Sequence, residues 1–322
     1  MGGARDQGPV GGRLVSLGQD ACSLRADAFD GRDCVGNSMS YVPMPPPKAP
    51  PQSQGTVVDS LLHPLAVVIR QLLTRSEKQR LDRILIDDEE NILEALQAGV
   101  DVELVFHAGE LALSETLRKA LPAKVDIHEV ARRTCKKLFE NEKISRIFAI
   151  AKTPALVSLD SLARIRQDIV VLEDVAISGN IGAIVRTSLA LGVGAIVLLN
   201  TDPVDIYDRR LIRASRGYVF SLPVVTATTE ELLRFCAAQR LDLLITAPQA
   251  DTPIGDIASM QRRLVIALGS EKQGCSQALI DAATLRVKIP INPRVESLNV
   301  SAAAGIALYH RLGFNLPPVA GN

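Results

Sequence analysis

Leu264-Val265-Ile266-Ala267-Leu268-Gly269-Ser270-Glu271-Lys272-Gln273-Gly274 is an apolar run that breaks abruptly into glycine, serine and charge. A short continuous apolar run bounded by turn residues reads as a β-strand covered on both faces, as parallel sheets require. The polar turn falls at the strand's carboxyl end, where open α/β sheets place their ligands. The plain reading is a strand-to-turn junction with an exposed acid. The sharper one is a ligand loop whose backbone groups hold a bound molecule while Glu271 braces a neighbouring arginine.

Two other stretches repeat the arrangement. Residues 169–172 form an apolar run that leads to Asn180-Ile181-Gly182-Ala183-Ile184-Val185-Arg186, and 285–290 leads through a polar loop to Ser297-Leu298-Asn299-Val300-Ser301. A helix beginning near Asn180 puts Gly182 and Arg186 on one face. Gly182 admits another backbone or a ligand, and Arg186 offers five fixed donors. A dinucleotide turn fails here, because Gly179-x-x-Gly182 lacks the first glycine of G-x-G-x-x-G. Asn299 suits the N-cap of a helix running through Ala302, Ala303 and Ala304, whose small side chains permit close packing.

The surrounding sequence alternates strand and helix. Strands are predicted at 169–172, 195–199, 221–225, 242–246, 264–268 and 285–290, and helices at 181–191, 208–216, 229–239, 275–283 and 299–312. This is an α/β domain over 169–316. A smaller α/β domain over 56–152 precedes it, with strands at 84–86, 102–106 and 125–127 and helices at 89–98 and 114–120. Its end, 130–152, carries Arg132, Arg133, Lys136, Lys137, Lys143, Arg146 and Lys152. Such a run is a solvated helix face or, with Phe139 and Phe148 interleaved, a surface that meets RNA by phosphate contact and stacking. Residues 153–168 read as a linker. Residues 1–55, rich in Gly and Pro, read as a disordered tail with a polyproline II stretch, and 317–322 as a second short tail.

Composition narrows the function classes. The formal net charge is zero across 322 residues, so any nucleic-acid contact must come from a local patch. The five cysteines are scattered and include no C-x-x-C pair, which argues against a disulfide framework or a structural zinc site. No apolar run reaches transmembrane length and no signal peptide opens the chain. A cytoplasmic, metal-free protein with no membrane partner is expected.

Taken in order, the three motifs resemble those of the SPOUT-class RNA methyltransferases of the TrmH/SpoU type, which methylate ribose 2′-hydroxyls. Asp208 to Val225, Asn180 to Leu191 and Glu296 to Leu308 are also similar to the thiostrepton and nosiheptide resistance methyltransferases of actinomycetes. The resemblance spans roughly residues 60–315. It implies a deep trefoil knot, a rare exception among chain topologies, preceded by a ribosomal-protein-like RNA-binding domain. It further implies a homodimer and S-adenosyl-L-methionine as cofactor, with an adenosine of 23S ribosomal RNA as target and thiopeptide resistance as outcome. Transfer RNA, another ribosomal site, or a non-catalytic RNA-binding relic are the alternatives.

By this resemblance the catalytic group is Arg186, Asn180, Glu271, Ser297 and Asn299. Cofactor contacts fall to Arg186, Arg216, Thr246, Gly269, Ser270, Glu271, Ile289, Pro290, Ile291, Leu298, Asn299, Val300, Ser301, Ala302 and Ala303. RNA contacts fall to Arg132, Arg133, Lys136 and Lys137.

Overall fold

The computed structural model describes residues 56–74, 82–140, 143–200, 205–247 and 249–313, which lie within one compact unit covering 50–322. The expected tails at 1–55 and 317–322 fall outside the described residues. The first part of the chain runs α1 (Pro64–Leu73), β1 (Arg83–Asp87), α2 (Glu89–Gln97), β2 (Val102–Ala108), α3 (Glu115–Ala120), β3 (Asp126–Val130), α4 (Arg132–Leu138) and β4 (Ile147–Lys152). Its four strands make a mixed sheet in the order β1-β4-β2-β3. β4 is antiparallel to both neighbours, and β2 and β3 are parallel.

The basic stretch at 130–152 therefore resolves into two different elements. Arg132, Arg133, Lys136 and Lys137 lie exposed on α4, as expected. Phe139 and Phe148 do not, and the expectation that they stack on RNA is corrected. Both are buried, Phe148 stacked on Phe106 at 5.0 Å and edge-on to Phe139 at 5.2 Å between ring centroids. The cause is β4 itself: Ile147-Phe148-Ala149-Ile150-Ala151 lies inside the sheet with both faces covered. Phe148 and Ile150 turn to a core shared with α1 and α4, while Ile147, Ala149 and Ala151 turn to the opposite core.

The second part runs β5 (Ile169–Glu173), α5 (Ser178–Ala190), β6 (Ala195–Leu199), α6 (Arg209–Ala214), β7 (Val224–Ala227), α7 (Thr229–Gln239), β8 (Asp242–Thr246), β9 (Thr252–Pro253), β10 (Leu264–Leu268), α8 (Gln277–Ala282), β11 (Leu285–Lys288) and α9 (Val300–Leu308). Its sheet has the order β7-β6-β5-β10-β8-β11-β9, with parallel pairings throughout. Period-two alternation sorts the side chains: Val170, Leu172, Ile196, Leu198 and Ile266 pack toward α5, α6 and α9. Ile169, Val171, Val197, Val265 and Ala267 pack toward α7 and α8. Both faces being covered, β5, β6 and β10 are buried at every position.

Differences from the expected boundaries have local causes. The strand expected at 221–225 begins only at Val224, because Gly217 enters the left-handed region at φ 79° and Tyr218–Phe220 forms a 3-10 turn. The strand expected to reach 290 ends at Lys288, since Pro290 has no N–H to offer a ladder. The helix expected at 299–312 is α-helical to Leu308 and continues as a π-turn over Tyr309–Gly313. The stretch expected as a linker contains a 3-10 helix, Leu159–Arg164, with Leu162 fully buried.

Two buried ion pairs lock the assembly. Arg311 Nε donates to Asp168 Oδ2 at 2.7 Å, and its guanidinium also donates to the carbonyls of Ile257, Met260 and Arg262. This fixes the end of α9 to the base of the second sheet, where Leu264 N also donates to Asp168. Asp87, at the end of β1, receives Arg209 Nε from α6, with Arg213 Nη1 at 3.5 Å. Burial pushes the Asp87 carboxyl above its ordinary value, opposed by the charges of Arg209 and Arg213. Arg209 also lies over the Phe139 ring at 4.8 Å, so the first sheet is bound to the second by charge as well as by apolar contact.

Candidate functional site

The three motifs meet at the carboxyl edge of the second sheet. Asn180 lies in the first turn of α5, Glu271 in the loop after β10, and Asn299 at the N-cap of α9. Glu271 Oε1 accepts from Asn180 Nδ2 at 3.2 Å, Asn299 Nδ2 at 2.8 Å and Val300 N at 3.2 Å. Asn299 Nδ2 also donates to Asn180 Oδ1 at 3.1 Å, while Ser301 N donates to Asn299 Oδ1 at 3.0 Å. One carboxylate oxygen thus gathers three donors, one of them at a helix N-terminus where negative charge is favoured. The N-cap expected of Asn299 is present.

Arg186 is not part of this cluster. It is exposed on α5 and has no hydrogen bond or ion pair among the described residues. The expectation that Glu271 braces Arg186 is corrected: Glu271 braces the two asparagines. Helix geometry is the reason. Arg186 is six residues beyond Asn180, about 9 Å along the axis at ~1.5 Å per residue, and residues at that spacing do not share a face. Gly182, buried on the same helix, is filled by backbone rather than ligand. A Cβ there would lie 2.4 Å from the Ala214 Cβ and 2.7 Å from Ser215 N.

Gly269 is demanded by its own loop, since a Cβ there would lie 1.9 Å from the Gly274 carbonyl carbon. Gly274 N donates to Ser270 O at 2.9 Å, closing the turn. Beside it Ile289, Ile291 and Leu298 are half-buried, while Pro290 and Ser297 are exposed. Thr246 ends β8 opposite Val287 of β11. Val300 is buried and Ser301 and Ala303 half-buried along α9, whereas Ala302 is exposed. Residues 289–299 are irregular backbone carrying three half-buried apolar side chains and ending at the polar N-cap Asn299.

Arg216 lies elsewhere. With φ 54° it follows α6 and points to Glu90 of α2, 3.6 Å away, in a groove lined by none of the residues from Gly269 to Ala303. It does not meet the expected cofactor loops. Asp87 and Arg209 went unforeseen as a buried pair, because 122 positions separate them and neither sits in a periodic pattern.

Other chemistries find little support. Burial pushes the thiols of Cys135 and Cys236 up to about 11, and that of Cys275, with the Glu173 charge adding, up to about 12. Such thiols carry negligible thiolate at neutral pH. Among the described residues, no group of three or more His, Cys, Asp and Glu is placed to hold a metal ion. No described helix is long and apolar enough to cross a membrane.

Comparison with known proteins agrees with the motif reading. Residues 167–309 match the SpoU rRNA Methylase family, and 55–165 match the family described as Thiostrepton-resistance methylase, N terminus. The chain is 36% identical over 264 residues to the 23S rRNA (adenosine(1067)-2'-O)-methyltransferase of Streptomyces azureus, covering 81% of this chain and 98% of that protein. It is 39% identical over 245 residues to the enzyme of the same name from Streptomyces laurentii, covering 76% and 91%. Among solved structures it resembles the SpoU methyltransferase AviRb from Streptomyces viridochromogenes in complex with AdoMet, at TM-score 0.65 and 26% identity over 75% of this chain and 94% of that one.

Proposed function

The chain belongs to the SpoU rRNA methylase family, and from that premise we propose that it transfers the methyl group of S-adenosylmethionine to the 2′-hydroxyl of an adenosine ribose in 23S ribosomal RNA. Its fold is the SPOUT α/β fold, with the methyltransferase part following a smaller α/β part matched to the thiostrepton-resistance methylases. The outcome proposed is resistance to thiopeptides of the thiostrepton and nosiheptide type. The observation that carries the reading is the meeting of Asn180, Glu271 and Asn299 from three distant motifs. Mapping 2′-O-methyl groups in ribosomal and transfer RNA with and without the protein tests it. A new methyl on 23S rRNA is expected, and methylation confined to transfer RNA would overturn the target.

The residues fit the cofactor. Ile289, Ile291, Leu298 and Ala303 offer apolar surface, and the irregular backbone around them offers donors and acceptors not committed to a ladder. The cofactor supplies an electrophilic methyl on a sulfonium and needs no metal. Glu271 and the two asparagines hold the loop after β10 against the starts of α5 and α9. Arg186, exposed and with no side-chain partner among the described residues, is the group we assign to the acceptor ribose. A guanidinium keeps its proton, so it acts by orienting the hydroxyl and by charge, and positioning supplies much of the barrier reduction in such reactions. A homodimer is part of the same proposal. A cytoplasmic location belongs to the same proposal, supported by the ribosomal RNA named for the relatives.

Two measurements follow. S-adenosylmethionine at a hundred times its Kd should stabilise the protein by about 2.7 kcal/mol, read as a raised melting temperature without added metal. No shift with either the cofactor or its demethylated product would overturn the cofactor assignment. Replacing Arg132, Arg133, Lys136 and Lys137 with Ala should flatten the salt dependence of RNA binding by about 0.7–0.9 log units per lost phosphate contact. An unchanged slope would return α4 to an ordinary solvated helix.

A further inference from the structure

A groove of about 820 Å³ opens between α2, the start of α5 and the end of α6. Lys143, Arg210, Arg213 and Arg216 line it, against the acids Asp88 and Glu90. Among the described residues the lining carries four positive charges against two negative ones, an excess of two, in a chain whose formal net charge is zero. Two ion pairs across it are long and solvated: Lys143 to Asp88 at 3.7 Å and Arg216 to Glu90 at 3.6 Å, each side chain at least 45% exposed. Such pairs are worth little and yield readily to phosphate. Arg213 differs, being held from behind by the fully buried Asp87.

Position matters as much as charge. Ser178 and Gly179 form one wall, immediately before Asn180 of the three-motif cluster. At the other side Asp88 is shared with a second depression lined by Leu111, Ile144 and Arg146 on the first part of the chain. Among the described residues no aromatic side chain lines the groove, so they offer no stacking platform for bases. A charged groove without aromatics tracks a sugar–phosphate backbone and is indifferent to sequence. Its volume lies in the upper part of the roughly 300–1,000 Å³ range of drug-sized ligand sites, room for about one or two nucleotides.

We propose that this groove carries the ribose–phosphate backbone of the RNA strand flanking the methylated nucleotide, with Lys143 and Arg210 as phosphate contacts. The assignment rests on the RNA methyltransferase reading above. It adds a path from the recognition surface of the first sheet to the edge of the second, walled by residues from both.

The test is direct binding of the full-length protein to unmodified 23S rRNA across a salt series. Lys143→Ala/Arg210→Ala should lower the slope of log K against log salt by about 1.4, at ~0.7 per phosphate of a single strand. Arg210→Glu should weaken binding at least about tenfold at ~0.1 M salt. The melting shift with S-adenosylmethionine should stay as in the wild type, because neither residue lines the cofactor loops. Lys119→Ala, an exposed residue on α3 paired with Glu115, serves as the control and should keep the wild-type slope. A wild-type protein that methylates 23S rRNA while the double variant retains its full slope overturns the groove alone. A wild-type protein that methylates no ribosomal RNA overturns the reading beneath it.

Discussion

Arg186→Ala is expected to fold and melt as the wild type does, and to lose at least about 100-fold in the rate of methyl transfer, the loss typical of removing one preorganised electrostatic group. The fold should survive because the side chain is exposed and bonds to nothing among the described residues. The informative variant is Arg186→Lys. Lysine keeps the charge and loses the planar fork that can hold a ribose hydroxyl and a phosphate together. If orientation dominates, lysine is nearly as inactive as alanine at every pH. If proton removal dominates, the lower intrinsic pKa of lysine, about 10.4, lets activity recover as pH rises. A pH–rate profile at saturating cofactor separates the two, and strong alkaline recovery would overturn the orienting role.

Asp168→Ala should cost about 3–5 kcal/mol, the penalty for leaving one member of a buried ion pair without its partner. Arg311 would keep its three carbonyl contacts but lose its counter-charge, and Leu264 N would lose its acceptor. At ~2–4 °C per kcal/mol for a chain of this size, the melting temperature should fall by about 10 °C. Asp168→Leu combined with Arg311→Met should recover part of the loss, since apolar pairs of similar volume often replace buried ion pairs without cost. Recovery should stay incomplete because the carbonyls of Ile257, Met260 and Arg262 lose their donor. A single variant within 1 kcal/mol of the wild type in urea unfolding would remove the pair from any stabilising role.

The second sheet was legible because its strands carry their burial in their composition. Ala195 to Leu199 and Leu264 to Leu268 are apolar at every position, and a strand covered on both faces has to be. β4 was missed although Ile147 to Ala151 has the same signature. It follows a run of cations, and reading 130–152 for charge concealed the change from surface helix to inner strand at Ile147. The meeting of the three motifs was legible, since each is a polar turn at a strand's carboxyl end. The partners within it were not. Whether Glu271 takes Asn180 or Arg186 depends on helical phase and rise, and the candidates differ by six positions. Pairs such as Asp87 and Arg209 leave no local trace, because a buried charge is explained only by its partner, and that partner is set by topology.

That last pair bears on how freely this protein's parts can be exchanged. The first sheet contributes the carboxylate and α6 the guanidinium, both buried. A foreign recognition part grafted ahead of residue 153 without an acid in the place of Asp87 would leave Arg209 charged and buried without its counter-ion. The graft would then lose stability at the seam before its RNA preference was ever read. Retargeting this scaffold therefore means transplanting the carboxylate along with the binding surface, so that the seam is inherited as one piece.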